Sequence, residues 1–173
     1  MSRVLIRAVL AAAGLAIAAT QADAHVTLEQ DEATIGSTYK AVLRVPHGCK
    51  GSPTLKVRIQ IPEGVLGVKP MPKADWTLET VTGDYAATYT LWGEPVKSGV
   101  KEITWTGKLL DDHYDEFVFR GYLSDQLPAN TVLYFPTVQE CEQGVDRWIE
   151  IPAEGKSEDD YEYPAPGLKL LPK

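Results

Sequence analysis

The sequence predicts an all-β protein, built as an antiparallel β-sandwich, and three observations lead to that prediction. Short runs in which apolar and polar residues alternate recur along the chain, which is the pattern of half-buried strands. The 14 Gly and 12 Pro residues fall largely between those runs, as in strands joined by turns. No segment carries an apolar stripe of helical period over ten or more residues. At 173 residues and 44% hydrophobic content, the chain can bury one core.

The clearest predicted strand covers residues Thr54–Ile61. Apolar side chains occupy every second position in it, at Leu55, Val57, Ile59 and Ile61. Further short runs predict seven more strands, at Tyr39–Val45, Trp76–Thr82, Ala86–Trp92, Lys101–Thr106, Glu116–Tyr122, Thr131–Val138 and Arg147–Ile151. Turn sequences separate many of these runs, at residues 46–48, 62–64, 83–84, 93–95 and 142–144. Short strands at this spacing are typical of a sandwich.

The first 24 residues have the layout of a secretory signal peptide. Two arginines precede an apolar run at Val9–Ala19, and small residues at Ala22 and Ala24 mark a cleavage site. The apolar run is shorter than the roughly 20 residues that a membrane span needs. We expect cleavage after Ala24, which leaves 149 residues and changes the formal net charge from −7 to −8. The predicted product is periplasmic or secreted and has no membrane span.

Three segments follow from this reading: the signal peptide at 1–24, the β-sandwich at 25–153 and an acidic, Pro-rich tail at 154–173. The tail either lies along the sandwich through its leucines at 168, 170 and 171 or forms a disordered terminus. Outside the cytoplasm Cys49 and Cys141, the only two cysteines, are expected to form one disulfide. A metal-binding thiol pair is the weaker alternative, because the two lack a CxxC spacing.

His25 becomes the first residue if cleavage follows Ala24. Its α-amine and its imidazole Nδ1 can then close on one metal ion as a chelate. Two nitrogens completed by oxygen ligands suit Cu(II), which also leads the affinity order of divalent first-row ions. We therefore expect one Cu(II) ion at His25. The alternative is that His25 only begins a frayed strand. The acidic balance of the chain argues against a nucleic-acid partner.

Several motifs resemble those of the YcnI-like copper-binding domain family over about residues 25 to 153. The matching segments are His25–Leu28, Val45–Cys49, Lys69–Pro70 before Trp76, Asp115–Phe119, Tyr134–Pro136, Gln139–Cys141 and Arg147–Glu150. The resemblance implies an immunoglobulin- or cupredoxin-like β-sandwich that binds Cu(II) through a single-histidine brace at the mature N-terminus. It also implies an acidic ligand, a Trp beside the metal and a role in copper acquisition or delivery. Asp31 departs from the proline expected in close relatives.

By this resemblance, His25 corresponds to the histidine of the brace, and Trp148 corresponds to the tryptophan beside the metal. Strand alternation adds that Trp148 points away from the core if Ile149 and Ile151 point into it, whereas burial of Trp148 beneath the tail is the alternative. Glu116 is the first choice for the acidic ligand. Alternative or additional ligands are Asp115, Glu29, Glu150, His47 and His113.

The expected function is non-catalytic: a periplasmic copper chaperone or acquisition accessory that exchanges copper with other exported or membrane-bound copper-handling proteins. Sequence motifs of serine hydrolases, zinc proteases and phosphate-binding loops do not occur in the chain. The alternative is a copper-dependent oxygenase acting on polysaccharide, since such enzymes also begin with a histidine on a β-sandwich. That chemistry needs a second imidazole and an open copper position. A third possibility is an exported interaction module with an incidental metal site.

Overall fold

The computed structural model describes residues 25–173, so the predicted signal peptide at 1–24 lies outside the described residues. Twelve strands cover much of that range, and its one helical element is a 3-10 turn at Glu158–Asp160. The strands are β1 (Thr27–Leu28), β2 (Glu32–Thr34), β3 (Ser37–Val45), β4 (Thr54–Gln60), β5 (Val65–Pro70), β6 (Thr77–Leu91), β7 (Glu94–Leu109), β8 (Asp115–Leu123), β9 (Val132–Tyr134), β10 (Thr137–Cys141), β11 (Val145–Trp148) and β12 (Gly167–Leu171). The all-β prediction is confirmed.

Two antiparallel sheets form the sandwich. One has the strand order β1-β3-β8-β5 and the other has the order β11-β10-β4-β7-β6. Their inward-facing side chains belong to one core cluster, in which Trp105 of β7 packs on Phe117 of β8 with ring centroids 5.5 Å apart. The alternation predicted for β4 is confirmed at Val57 and Ile59, which are fully buried. Burial of such side chains is the main contribution that holds the two sheets together.

The tail is part of the sandwich rather than a disordered terminus. Strand β12 pairs with β9 antiparallel and with β2 parallel, in a third, three-stranded sheet. Leu168 and Leu170 are buried in the core cluster, as the extended reading of the tail predicts. The parallel pair β2–β12 is a departure from a purely antiparallel architecture.

Strand boundaries differ from the prediction mainly in the β6–β7 hairpin. The two strands predicted around Gly83-Asp84 are one 15-residue strand, β6, whose pairing with β7 is irregular near that point. The Gly-Asp pair therefore marks a bulge, because a glycine inside a long strand accommodates an irregular ladder as readily as it forms a turn. The predicted strand at 131–138 is divided into β9 and β10. Strand β5 was not predicted.

The predicted disulfide between Cys49 and Cys141 is confirmed. It links the turn after β3 to the end of β10, which belong to different sheets. Cys49 is buried, so solvent has little access to its side of the bond. Within residues 25–173, no helix is long and apolar enough to cross a membrane.

Candidate metal centre

His25 lies at the rim of an open pocket of about 860 Å³. It stands two residues before β1, the edge strand of the four-stranded sheet. Trp148 of the other sheet and Tyr161 and Tyr163 of the tail also line the pocket. The remaining lining residues are polar, charged or small: His47, Lys50, Gly51, Asp111, Asp146, Asp159 and Glu162. The pocket thus joins five separate parts of the chain at the predicted mature N-terminus.

Trp148 forms the floor beneath His25. Its ring meets the His25 imidazole edge to face, with centroids 5.8 Å apart, and it meets Tyr163 of the tail at 5.2 Å. Its indole N–H donates a 3.0 Å hydrogen bond to the Gln139 side chain. An aromatic ring in contact with neighbouring rings and hydrogen-bonded through its polar atom has a defined orientation. The ring is therefore a fixed support for the His25 side chain.

The predicted outward orientation of Trp148 is wrong. Trp148 is 3% exposed, whereas Ile149 and Ile151 are 45% and 57% exposed. Strand β11 ends at Trp148, and the backbone of the next two residues pairs with Tyr163 of the tail. The tail therefore covers Trp148, as the alternative reading predicted, and the strand's inward face carries Asp146 and Trp148 instead of the isoleucines.

His47 reaches the same pocket from the turn that follows β3. The next residue, Gly48, has no room for a side chain, because a Cβ there would lie 2.0 Å from the backbone oxygen of Ser52. Cys49 and Ser52 exchange backbone hydrogen bonds of 3.0 Å in each direction. The disulfide anchors this turn to β10. Local sequence and the covalent link together determine where the His47 backbone lies.

The pocket is rich in negative charge. Four carboxylates line it, at Asp111, Asp146, Asp159 and Glu162, beside a single lysine, Lys50. Burial raises the pKa of Asp146, although the nearby His47 and Lys50 oppose the rise. Burial and, to a smaller extent, the carboxylates of Asp146 and Glu162 raise the pKa of the Tyr163 hydroxyl. Such a field favours a cation over an anion.

Glu158 is a further carboxylate that interacts electrostatically with His25. Partial burial raises its pKa, and the imidazole of His25 opposes the rise. It belongs to the 3-10 turn of the tail and lines a second, smaller pocket with Glu29 and Asp31. The tail thus contributes carboxylates to both pockets, the one that His25 lines and the smaller one that Glu29 and Asp31 line.

The first-choice acidic ligand, Glu116, does not line the pocket of His25. In the four-stranded sheet it pairs with Arg44, which pairs in turn with Thr27, so it lies two strands, or about 10 Å, from β1. Its carboxylate accepts a hydrogen bond from the Tyr114 hydroxyl; burial and, after it, this bond raise the pKa of Tyr114 to about 12. Asp115 instead forms a 2.6 Å ion pair with Lys73.

The other predicted ligands also lie outside this pocket. Glu29 pairs with Arg44 at 3.6 Å, and Glu150 accepts a 2.7 Å hydrogen bond from the backbone of Tyr163. His113 is exposed and lies 3.8 Å from Asp112. Of the predicted additional ligands, only His47 shares the pocket with His25. Among the side chains of residues 25–173, no three His, Cys, Asp or Glu residues form a preassembled metal cluster.

Sequence reasoning missed Asp146, the tail residues and Gln139. Gln139 is 1% exposed and connects Trp148 to the turn that carries His47. Strand alternation could have indicated Asp146, since it shares a face with Trp148 two residues later. Nothing local predicts the tail residues, because they reach the pocket only through the packing of β12 and the turn before it.

Comparisons with known proteins establish the family and the fold. A crystal structure of an uncharacterised protein from Nocardia farcinica, described as having an immunoglobulin-like fold, superposes with a TM-score of 0.62 at 24% identity. The similarity covers 85% of this chain and 98% of that one. No curated protein matches the chain. The family model described as a domain of unknown function, DUF1775, matches residues 25–170. The chain therefore belongs to the DUF1775 family, and its fold is immunoglobulin-like.

Proposed function

We propose that this protein is an exported Cu(II)-binding protein, a copper chaperone or acquisition accessory that carries one copper ion at its mature N-terminus. The single observation that carries the proposal is the position of His25, at the predicted cleavage site and at the rim of an acidic pocket beside Trp148. The resemblance to the YcnI-like copper-binding domain supports the same reading. The copper is cargo, received from one copper-handling protein and passed to another.

The donor set fits Cu(II) once the signal peptide is removed. The amine and imidazole of His25 supply two nitrogens, so the pocket needs to contribute only one or two further ligands. His47 and Asp146 are the candidates, because they line the pocket and lie close enough to each other to interact electrostatically. In this proposal His47 and Asp146, instead of Glu116, supply the ligands that complete the site at His25. An open pocket also leaves the ion accessible to a protein that receives it.

Blocking the α-amine of His25 is expected to abolish the brace. The variant keeps Ala24 as an acetylated first residue, since a free amine on Ala24 could itself chelate copper together with the imidazole. Changing groups that only orient metal ligands costs about 10–100-fold in affinity, so loss of a ligand is expected to cost about 100-fold or more. The measurement is Cu(II) titration against a competing chelator, with EPR spectra of both proteins.

A matched variant tests the imidazole half of the chelate. His25→Ala keeps a free amine at the same position and removes the ring, so it should weaken binding comparably while leaving the circular dichroism spectrum unchanged. Equal affinity and identical EPR spectra in the free and acetylated proteins would reject the brace. Intact mass of the secreted protein identifies the mature first residue, and a start other than His25 would remove the basis of the proposal.

The copper oxygenase is the second candidate, and one observation favours it: His47 shares the pocket with His25. With His47 as a copper ligand, His47→Gln is expected to lower copper affinity about 100-fold or more, since even groups that only orient ligands contribute about 10–100-fold, and to remove one nitrogen coupling from the EPR spectrum. His113→Gln makes the same change at an exposed histidine outside the pocket and should have no effect. If both variants bind copper as the parent does, His47 is not a ligand.

An assay for polysaccharide oxidation distinguishes the copper chaperone from the copper oxygenase. The parent protein, loaded with copper and supplied with a reductant and oxygen, is incubated with polysaccharide and the soluble products are analysed by mass spectrometry. We expect no oxidised sugars, because the pocket is concave and acidic and its tyrosines come from the tail, whereas a polysaccharide surface requires a flat aromatic face. Oxidised products that depend on His25 would make the protein an enzyme.

A further inference from the structure

We propose that Gln139 is a positioning residue that holds Trp148 and the His47 turn in the arrangement that receives copper. The inference rests on the proposed function for the identity of the ion. Gln139 lies on β10, between the edge strand β11 and the central strand β4. It is one of the largest fully buried side chains and the one polar member of that set within residues 25–173. A buried amide of this kind needs partners for its donors and its acceptor.

All of its partners lie at or next to the pocket. The amide nitrogen donates to the backbone carbonyl of His47 and to the hydroxyl of Thr54, both at 2.7 Å. The amide oxygen accepts the 3.0 Å bond from the indole of Trp148. One side chain therefore joins the floor beneath His25 to the turn that carries His47. These two features belong to segments about 100 residues apart in the chain, and Gln139 is hydrogen-bonded to both.

The chemistry of the partners accounts for the choice of glutamine. An indole N–H can only donate and a backbone carbonyl can only accept, so the residue between them must offer both an acceptor and a donor. A carboxylate of the same length would accept from Trp148 but could not donate to His47. A methionine would fill similar space and do neither. Glutamine alone among these three satisfies both neighbours at once.

Gln139 does not touch the proposed ion. It acts through Trp148, which supports the His25 ring, and through the His47 backbone, whose position sets where the second imidazole lies. Hydrogen bonds that orient metal-binding groups contribute about 10–100-fold to metal affinity. The disulfide anchors the other end of the same turn at Cys49, so the turn is held covalently on one side and by Gln139 on the other.

The test compares Gln139→Met with Thr54→Val in the protein that begins at His25. Gln139→Met removes the bonds to Trp148, His47 and Thr54, whereas Thr54→Val keeps the bonds to Trp148 and His47 and deletes the hydroxyl of Thr54, which does not line the pocket. We expect Gln139→Met to lower Cu(II) affinity about 10–100-fold and to change the EPR spectrum, with Thr54→Val close to the parent in both.

A readout without copper separates this proposal from the proposed function. In the copper-free protein, the NMR resonance of the Trp148 indole N–H should shift and exchange faster with solvent in Gln139→Met, and should be retained in Thr54→Val. If the parent binds no copper but these resonances move as expected, the positioning role stands and the copper role fails. If the parent binds copper and Gln139→Met matches it in affinity, spectrum and indole resonance, Gln139 has no positioning role. A Gln139→Met effect that Thr54→Val reproduces in full would likewise reduce Gln139 to a structural residue.

Discussion

Replacing both Cys49 and Cys141 with alanine is expected to lower the free energy of unfolding by about 4–5 kcal/mol. The disulfide joins residues 92 positions apart, and in the chain-entropy model a loop of that length strongly restricts the unfolded chain. For a domain of this size the loss corresponds to a fall in Tm of about 10–20 °C. The measurement is urea denaturation and thermal unfolding of the oxidised parent and the double variant.

Reduction of the parent provides the internal control. Incubation with a strong reductant should destabilise the parent toward the double variant and leave the variant itself unchanged, since the variant has no disulfide to lose. The double variant should also bind copper less tightly at temperatures where it stays folded, because its His47 turn has lost one anchor. If the double variant were as stable as the oxidised parent, the disulfide would not restrict the conformations of the unfolded chain enough to stabilise the fold.

Trp148→Ala is expected to cost about 3–5 kcal/mol of stability, the range for deleting a large buried aromatic side chain. The truncation removes the contacts with His25 and Tyr163 and leaves the buried acceptor of Gln139 without its indole partner. An unsatisfied buried polar group adds to the cost of the cavity. Denaturant unfolding with the disulfide intact measures the loss, and near-ultraviolet circular dichroism reports the packing of the remaining aromatic residues.

The matched control is Trp92→Ala. Trp92 lies in the turn between β6 and β7 and is 74% exposed, so its loss should change stability by no more than about 0.5 kcal/mol. The two variants delete the same side chain from the same protein and differ only in burial and contacts. If Trp148→Ala lowered the free energy of unfolding as little as Trp92→Ala, the Trp148 side chain would contribute little to the stability of the fold.

The strands could be predicted wherever one face is buried and the other is solvated. Alternation identified β3, β4 and β8 within a few residues, because period two in the sequence reflects two sheet faces in different environments. It failed at the β6–β7 hairpin, where β6 is exposed along most of its length and a bulge resembles a turn. It also failed at Ile149 and Ile151, because the edge strand ends before them and the tail pairs with the backbone of Ile149 and Glu150.

The candidate site could be predicted only in part. His25 follows from the cleavage signal, and the resemblance named Trp148, but neither source identified the residues that share their pocket. Glu116 is close to His25 in neither sequence nor space, whereas His47 and Asp146 line the same pocket as His25 because the start of β1, the end of β3, strand β11 and the tail lie near one another. Contacts between residues that are far apart in the chain depend on strand order, which residue spacing does not encode.

By itself, the sequence determined the all-β class and the cysteine pair, and it predicts the histidine that cleavage would expose. These properties are local or compositional: alternation along a strand, a count of two cysteines, and a short apolar segment with a predicted cleavage site. The tertiary structure decided that Trp148 is buried, that the tail covers it and that Gln139 joins it to the His47 turn. Burial of Trp148 follows from the pairing of the tail at Tyr163 with the residues that come after β11, and such pairing between distant segments is a property of the whole folded chain.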